Sequence, residues 1–148
     1  MLRALALVAL LLGLPENADA QSACAPTRAD MLGPFYEPGA PERSTTGRGF
    51  VVSGIVRSAK GCLALPAARL EWWSATPSGE YDREHRATQD TDGGGRYRYE
   101  TSVPGRYPGR PPHVHVRVSA PGHRTLVTQL YPEHGETALQ MDFVLTPD

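Results

Sequence analysis

The stretch His113-Val114-His115-Val116-Arg117-Val118 decides the fold, because polar and apolar residues alternate through it without a break. A strict period of two is the pattern of a β-strand with one face turned to a core. Arg96-Tyr97-Arg98-Tyr99 alternates in the same way. Working outward, β-type runs are predicted near Phe50–Arg57, Arg69–Ala75, Arg96–Ser102, His113–Ser119, Arg124–Tyr131 and Gln140–Thr146. Between them lie Ser58-Ala59-Lys60-Gly61, Thr91-Asp92-Gly93-Gly94-Gly95, Pro104-Gly105 and Pro121-Gly122. These are turn residues, glycine supplying positive φ and aspartate bonding its own backbone. No segment past residue 20 has a helical period, and 14 prolines and 15 glycines in 148 residues disfavour long helices. The expectation is an all-β chain: one antiparallel β-sandwich over residues 49–148, preceded by an extended segment over 21–48 rich in Pro, Gly and polar groups.

The first twenty residues read as an export signal. Arg3 precedes an uncharged apolar run, Ala4 to Leu14, and Ala18-Asp19-Ala20 fits a small-x-small cleavage site. The run is too short to span a bilayer as a stable helix. The expected product is therefore exported, to a periplasm or the exterior, and without a membrane anchor after cleavage near Ala20. The formal net charge of the whole chain is −1, and Lys60 is its only lysine. Nothing in bulk charge favours nucleic acid or an anionic membrane surface. In an oxidising compartment the simplest reading of the two cysteines, Cys24 and Cys62, is one disulfide, with two thiols as the alternative.

The candidate chemistry sits in three short stretches. In Arg110-Pro111-Pro112-His113-Val114-His115, the histidines are two apart on a predicted strand, so both side chains leave the same face and can reach one metal ion. The bland alternative is two surface histidines. Tyr107 lies in a loop stiffened by prolines 104, 108, 111 and 112. Tyr81 follows the run Trp72-Trp73-Ser74-Ala75-Thr76-Pro77-Ser78-Gly79-Glu80.

Taken in order, Gly33-Pro34-Phe35-Tyr36, Val52-Ser53-Gly54-Ile55-Val56, Leu70-Glu71-Trp72-Trp73, Gly79-Glu80-Tyr81, Thr91-Asp92-Gly93, Pro104-Gly105-Arg106-Tyr107-Pro108, Arg110 to His115 and Thr128-Gln129-Leu130-Tyr131 resemble the intradiol ring-cleavage dioxygenases, the family of catechol and protocatechuate intradiol enzymes. The resemblance implies one Fe(III) per chain held by Tyr81, Tyr107, His113 and His115, with a small aromatic diol and O2 as substrates. Two phenolates suit a trivalent ion, whereas two histidines and a carboxylate suit Fe(II). The resemblance also implies that Tyr107 is the ligand that leaves and takes up a substrate proton, that Arg110 stabilises negative charge on the ring, and that Gln129 stands close behind the pocket. Gly33 and Pro34 are expected at the pocket mouth and Trp73 in its wall. Trp72, Tyr97 and Tyr99 are expected in the packing, and His85, His123 and His134 in solvent. Many members are longer and use an N-terminal helical region to dimerise; whether this chain forms a homo-oligomer stays open. The competing expectation is an exported β-sandwich that binds zinc, copper or another ligand without ring cleavage.

Overall fold

The computed structural model describes residues 24–106 and 108–148. The predicted leader and Tyr107 lie outside the described residues. Eight strands follow in order: β1 (Gly49–Ser58), β2 (Arg69–Ser74), β3 (Arg86–Asp90), β4 (Arg96–Ser102), β5 (Val114–Ser119), β6 (Leu126–Leu130), β7 (Ala138–Gln140) and β8 (Phe143–Leu145). They form two four-stranded sheets, one in the order β4-β1-β7 with β8 also on β1, the other β3-β2-β5-β6. Among the described residues no helix is long and apolar enough to cross a membrane.

The period-two pattern sets the core. From the first sheet Phe50, Val52, Val56, Tyr97 and Tyr99 point inward; from the second Leu70, Trp72, Val114, Val116 and Val118 meet them. Trp72 lies flat on Tyr99, ring centroids 4.5 Å apart and planes 8° from parallel. Trp72 and the two tyrosines are thus packing residues, as their alternation implies.

Three features depart from the sequence expectation. The sandwich is not wholly antiparallel, because β7 and β8 both run parallel to β1. The predicted terminal run Gln140–Thr146 is broken in two where Met141 and Asp142 cross β1. There Tyr97 Oη donates to the Met141 carbonyl (2.6 Å), and Ile55 N and Arg57 Nε donate to the Asp142 carboxylate (2.9 and 3.0 Å). Gly54 permits that crossing, since a Cβ there would stand 1.8 Å from the Met141 carbonyl oxygen. The third departure is β3, Arg-Ala-Thr-Gln-Asp, which has no β-type composition. It is a strand because β2 offers it an edge, with Trp73 opposite Arg86 and Arg69 opposite Asp90.

Most of the outer face of the second sheet is covered. Residues 24–48 form a strap whose middle part runs across it, so β2 is buried on both faces beyond Arg69. The strap is sewn down by Asp30 N to the Val127 carbonyl (2.9 Å), Thr88 N to the Pro41 carbonyl (2.8 Å) and Arg43 N to the Thr88 carbonyl (2.9 Å). Tyr36 Oη donates to Glu71 (2.9 Å), which also pairs with Arg117. At its start the Cys24–Cys62 disulfide, Cα atoms 5.3 Å apart, ties the strap to the β1–β2 loop. His115 consequently lies on a face that its sequence marks as polar but the fold buries, at 2% exposure.

Candidate metal centre

One row of paired residues runs across the second sheet. Arg86 on β3 stands opposite Trp73 on β2, Trp73 opposite His115 on β5, and His115 opposite Gln129 on β6. All four are buried under the strap. His113, just ahead of β5, and Tyr81, in the β2–β3 loop, reach the same point from the side.

There three donors converge. Tyr81 Oη is 3.3 Å from His113 Nε2 and 3.2 Å from His115 Nε2, and the two Nε2 atoms are 3.1 Å apart. Ligands about 2.0–2.2 Å from a shared ion are separated by roughly 3 Å. The tautomer of His113 is fixed, because its Nδ1–H donates to the Pro111 carbonyl (2.8 Å) and leaves Nε2 as a lone-pair donor. Burial, with Arg110 nearby, lowers the pKa of His113 although the Pro111 bond opposes the shift. Burial, then the neighbouring His113, pushes His115 down to about 3. Both imidazoles are therefore neutral at pH 7, the form that binds metal. Among the described residues no group of three His, Cys, Asp or Glu side chains is placed to hold an ion. The donor that completes the histidine pair is a phenol, and phenolate oxygen suits a hard trivalent cation.

The donors open into a cavity of about 260 Å³ lined by Met31, Gly33, Pro34, Phe35, Tyr81, Arg110, His113 and His115. Gly33 and Pro34, expected at the pocket mouth, are among the lining residues. Gly33 has a φ of +72°, and a Cβ on it would lie 3.2 Å from His115 Cε1, so glycine lets the strap pass directly over the imidazole. Trp73 does not line the cavity, a correction to its expected place in the wall. Its ring is buried behind His115 and stacked on it, centroids 4.7 Å apart and planes 8° from parallel. Strand alternation gave the face correctly, but the cross-strand pairing puts the imidazole in front of the indole.

Arg110 faces the cavity with its Nη2 donating to Gln129 Oε1 (2.8 Å) and Tyr131 Oη (3.0 Å). Gln129 Nε2 in turn donates to the Met31 carbonyl (2.6 Å). Gln129 therefore orients the arginine and the strap and does not itself line the cavity. A larger groove, about 490 Å³, runs over Arg106 and Pro108–Pro112 and shares only Arg110 with this centre. Of the histidines expected in solvent, His134 is exposed, whereas His85 is largely covered and bonded to Asp82 through Nδ1 (2.8 Å). His123 Nε2 is bonded to Ser58 Oγ (2.9 Å).

Sequence reasoning gave no role to Phe35, which stacks on Tyr81 with centroids 4.2 Å apart, or to Tyr131. Both sat inside quoted motifs. Asp30, which accepts from Tyr131 Oη (2.9 Å), lies in a segment without any pattern to mark it.

A family model described as Dioxygenase matches residues 37–146. A hydroxyquinol 1,2-dioxygenase of Corynebacterium glutamicum is 31% identical over 78% of this chain and 48% of its own length. A catechol 1,2-dioxygenase of Acinetobacter baylyi is 31% identical over 70% of this chain and 45% of its own. The chain spans about half the length of these relatives. Among solved structures, the dioxygenase domain of a dioxygenase carbohydrate-binding protein fusion from the cellulolytic bacterium Streptomyces sp. SirexAA-E superposes with a TM-score of 0.75 at 31% identity, over 84% of this chain and 100% of that one.

Proposed function

Because the chain belongs to the intradiol ring-cleavage dioxygenase family, we propose that it is a non-haem Fe(III) enzyme that opens catechol-type rings between their two hydroxyl-bearing carbons, taking both atoms of O2 into a muconate-type diacid. The observation that carries this reading is the meeting of Tyr81, His113 and His115 at mutual distances of 3.1–3.3 Å on the floor of an apolar cavity with one guanidinium. A zinc- or copper-binding module without ring cleavage is not favoured, since the phenol stands where a carboxylate, thiolate or third histidine would be expected.

Tyr81, His113 and His115 would hold the ion, with Tyr107 as the fourth ligand by family resemblance. Bound there, a ferric ion would supply Lewis acidity and a template for both catechol oxygens. The rest is the work of this chain's residues. Gly33, Pro34 and Phe35 line the cavity from the strap and would pack against the ring. Arg110 places a permanent cation beside it, where charge develops during cleavage. Tyr107 would accept a substrate proton at its phenolic oxygen. A cavity of about 260 Å³ admits a single ring with small substituents and lies just below the ~300 Å³ at which small-molecule sites usually begin. All four electrons taken up by O2 come from the catechol, so no external reductant is required.

We also propose that the chain is exported after cleavage near Ala20; the Cys24–Cys62 disulfide supports an oxidising destination. The function is tested by oxygen uptake with catechol and with hydroxyquinol under ¹⁸O2. The expected product is a ring-opened diacid carrying both labelled atoms. Iron-loaded protein that consumes no oxygen with either diol would refute the reading.

A further inference from the structure

The guanidinium of Arg110 is held by two side chains at the end of β6, and one of them is held in turn by the strap. Its Nη2 donates to Tyr131 Oη (3.0 Å) and to Gln129 Oε1 (2.8 Å). The Tyr131 hydroxyl has one proton and two acceptors within reach, Asp30 Oδ2 and Gln129 Oε1, each at 2.9 Å. Gln129 Oε1 already receives a bond from the arginine, and a carboxylate is the stronger acceptor. The proton therefore points to Asp30, and the phenolic oxygen turns its lone pairs to Arg110. Asp30 is itself fixed: its Oδ1 accepts from Met31 N (2.7 Å), its own N donates to the Val127 carbonyl (2.9 Å), and Gln129 Nε2 holds the next carbonyl, that of Met31, at 2.6 Å. Asp30 also lies ahead of residues 37–146, the part shared with the family model.

We propose that Asp30 is a positioning residue: by polarising Tyr131 it locks Arg110 against the cavity, so that the strap, and not the shared sandwich alone, sets the cation that faces the substrate ring. The relay delivers orientation and charge together. Tyr131 is bonded at once to an anion and a cation, and rotation of Arg110 away from the cavity would break both of its bonds. The Asp30 carboxylate also offsets part of the positive charge at the mouth. Among the described residues, the hydrogen bonds of Arg110 use only Nη2, which leaves its other N–H groups for the substrate.

The relay has a readout that needs no turnover, while its kinetic consequence rests on the function proposed above. In the full mature chain with ¹⁵N-labelled arginine and no added metal, the Arg110 Nε–H signal is identified as the one lost in Arg110→Lys. It is expected to be distinct from exposed arginines, to collapse onto them in Asp30→Ala, and to persist in Asp30→Asn, whose side-chain oxygen still accepts from Tyr131. In a Tyr131→Phe background, Asp30→Ala should change it no further. In the iron-loaded enzyme, Asp30→Ala should lower kcat/KM by roughly three- to tenfold, the worth of one hydrogen bond, with iron content unchanged and Asp30→Asn restoring most of the loss. An Arg110 signal indifferent to Asp30→Ala, or one shifted equally with and without Tyr131, would overturn the relay. If the wild-type enzyme cleaves no catechol, the proposed function fails, and the arginine signal still decides the relay.

Discussion

Trp73 lies flat against the imidazole of His115, centroids 4.7 Å apart, and the two residues are direct cross-strand partners on β2 and β5. The indole fixes the plane of the ring and so the direction of its Nε2 lone pair. Trp73→Ala should cost about 3–5 kcal/mol of stability and lower iron affinity at the same time, whereas Trp73→Phe should keep most of both. Urea unfolding and iron titration on each variant measure the two effects. Unchanged iron affinity in Trp73→Ala would show that the stacking has no part in holding the ligand.

The strap approaches the same imidazole at Gly33. Gly33→Ala combines a φ of +72° with a new Cβ 3.2 Å from His115 Cε1. The left-handed conformation alone costs roughly 1–2 kcal/mol for a residue with a Cβ. The variant should melt lower and show an altered charge-transfer band, because the strap is displaced or the imidazole is pushed. A melting temperature and spectrum identical to wild type would mean that neither gives.

Acid should loosen the metal-free protein before its carboxylates titrate. Burial holds His115 at about 3 in the folded state against 6.5 when unfolded, and lowers His113 in the same direction. Between those values the unfolded chain binds more protons, so stability rises with pH and is lost as pH falls below 6.5. The urea midpoint of metal-free protein should decline from pH 7 to pH 5, and His115→Asn should flatten that decline. A midpoint that is constant over this range, or a slope unaffected by the substitution, would contradict the burial argument.

Removing the Cys24–Cys62 bridge tests the strap as a unit. The bond closes a loop of sequence separation 38, worth about 3–4 kcal/mol by the chain-entropy model. A Cys24→Ser, Cys62→Ser double variant should unfold at lower urea and bind catechol less tightly. It should still take up iron, since Tyr81, His113 and His115 all lie outside the strap. Loss of iron in that variant would place the strap's contribution at the metal itself.

The sandwich was legible because its core obeys local alternation: Val114, Val116 and Val118, or Tyr97 and Tyr99, declare their face in sequence. Arg86–Asp90 was not, because it is a strand by virtue of the edge it meets. The break at Met141–Asp142 was equally hidden, since it depends on Gly54, far away in sequence, and on contacts made only once β1 is in place. At the site, His113, His115, Tyr81, Arg110 and Gln129 were found through short motifs in a characteristic order, and the structure brings all five together. Phe35, Tyr131 and Asp30 acquire their meaning only when the strap crosses the sheet. Trp73 shows the limit most plainly: its face could be read, but what stands in front of it is set by strand register.

A ferric centre with tyrosinate ligation has a visible spectrum of its own, which can be recorded on the purified protein. Iron is quantified on the same sample, and the spectrum is taken before and after catechol is added without oxygen. The expected result is close to one iron per chain and a broad visible band from tyrosinate-to-Fe(III) charge transfer that moves to longer wavelength when catechol binds. Protein that stays colourless after reconstitution with iron, and takes up zinc or copper in its place, would contradict it.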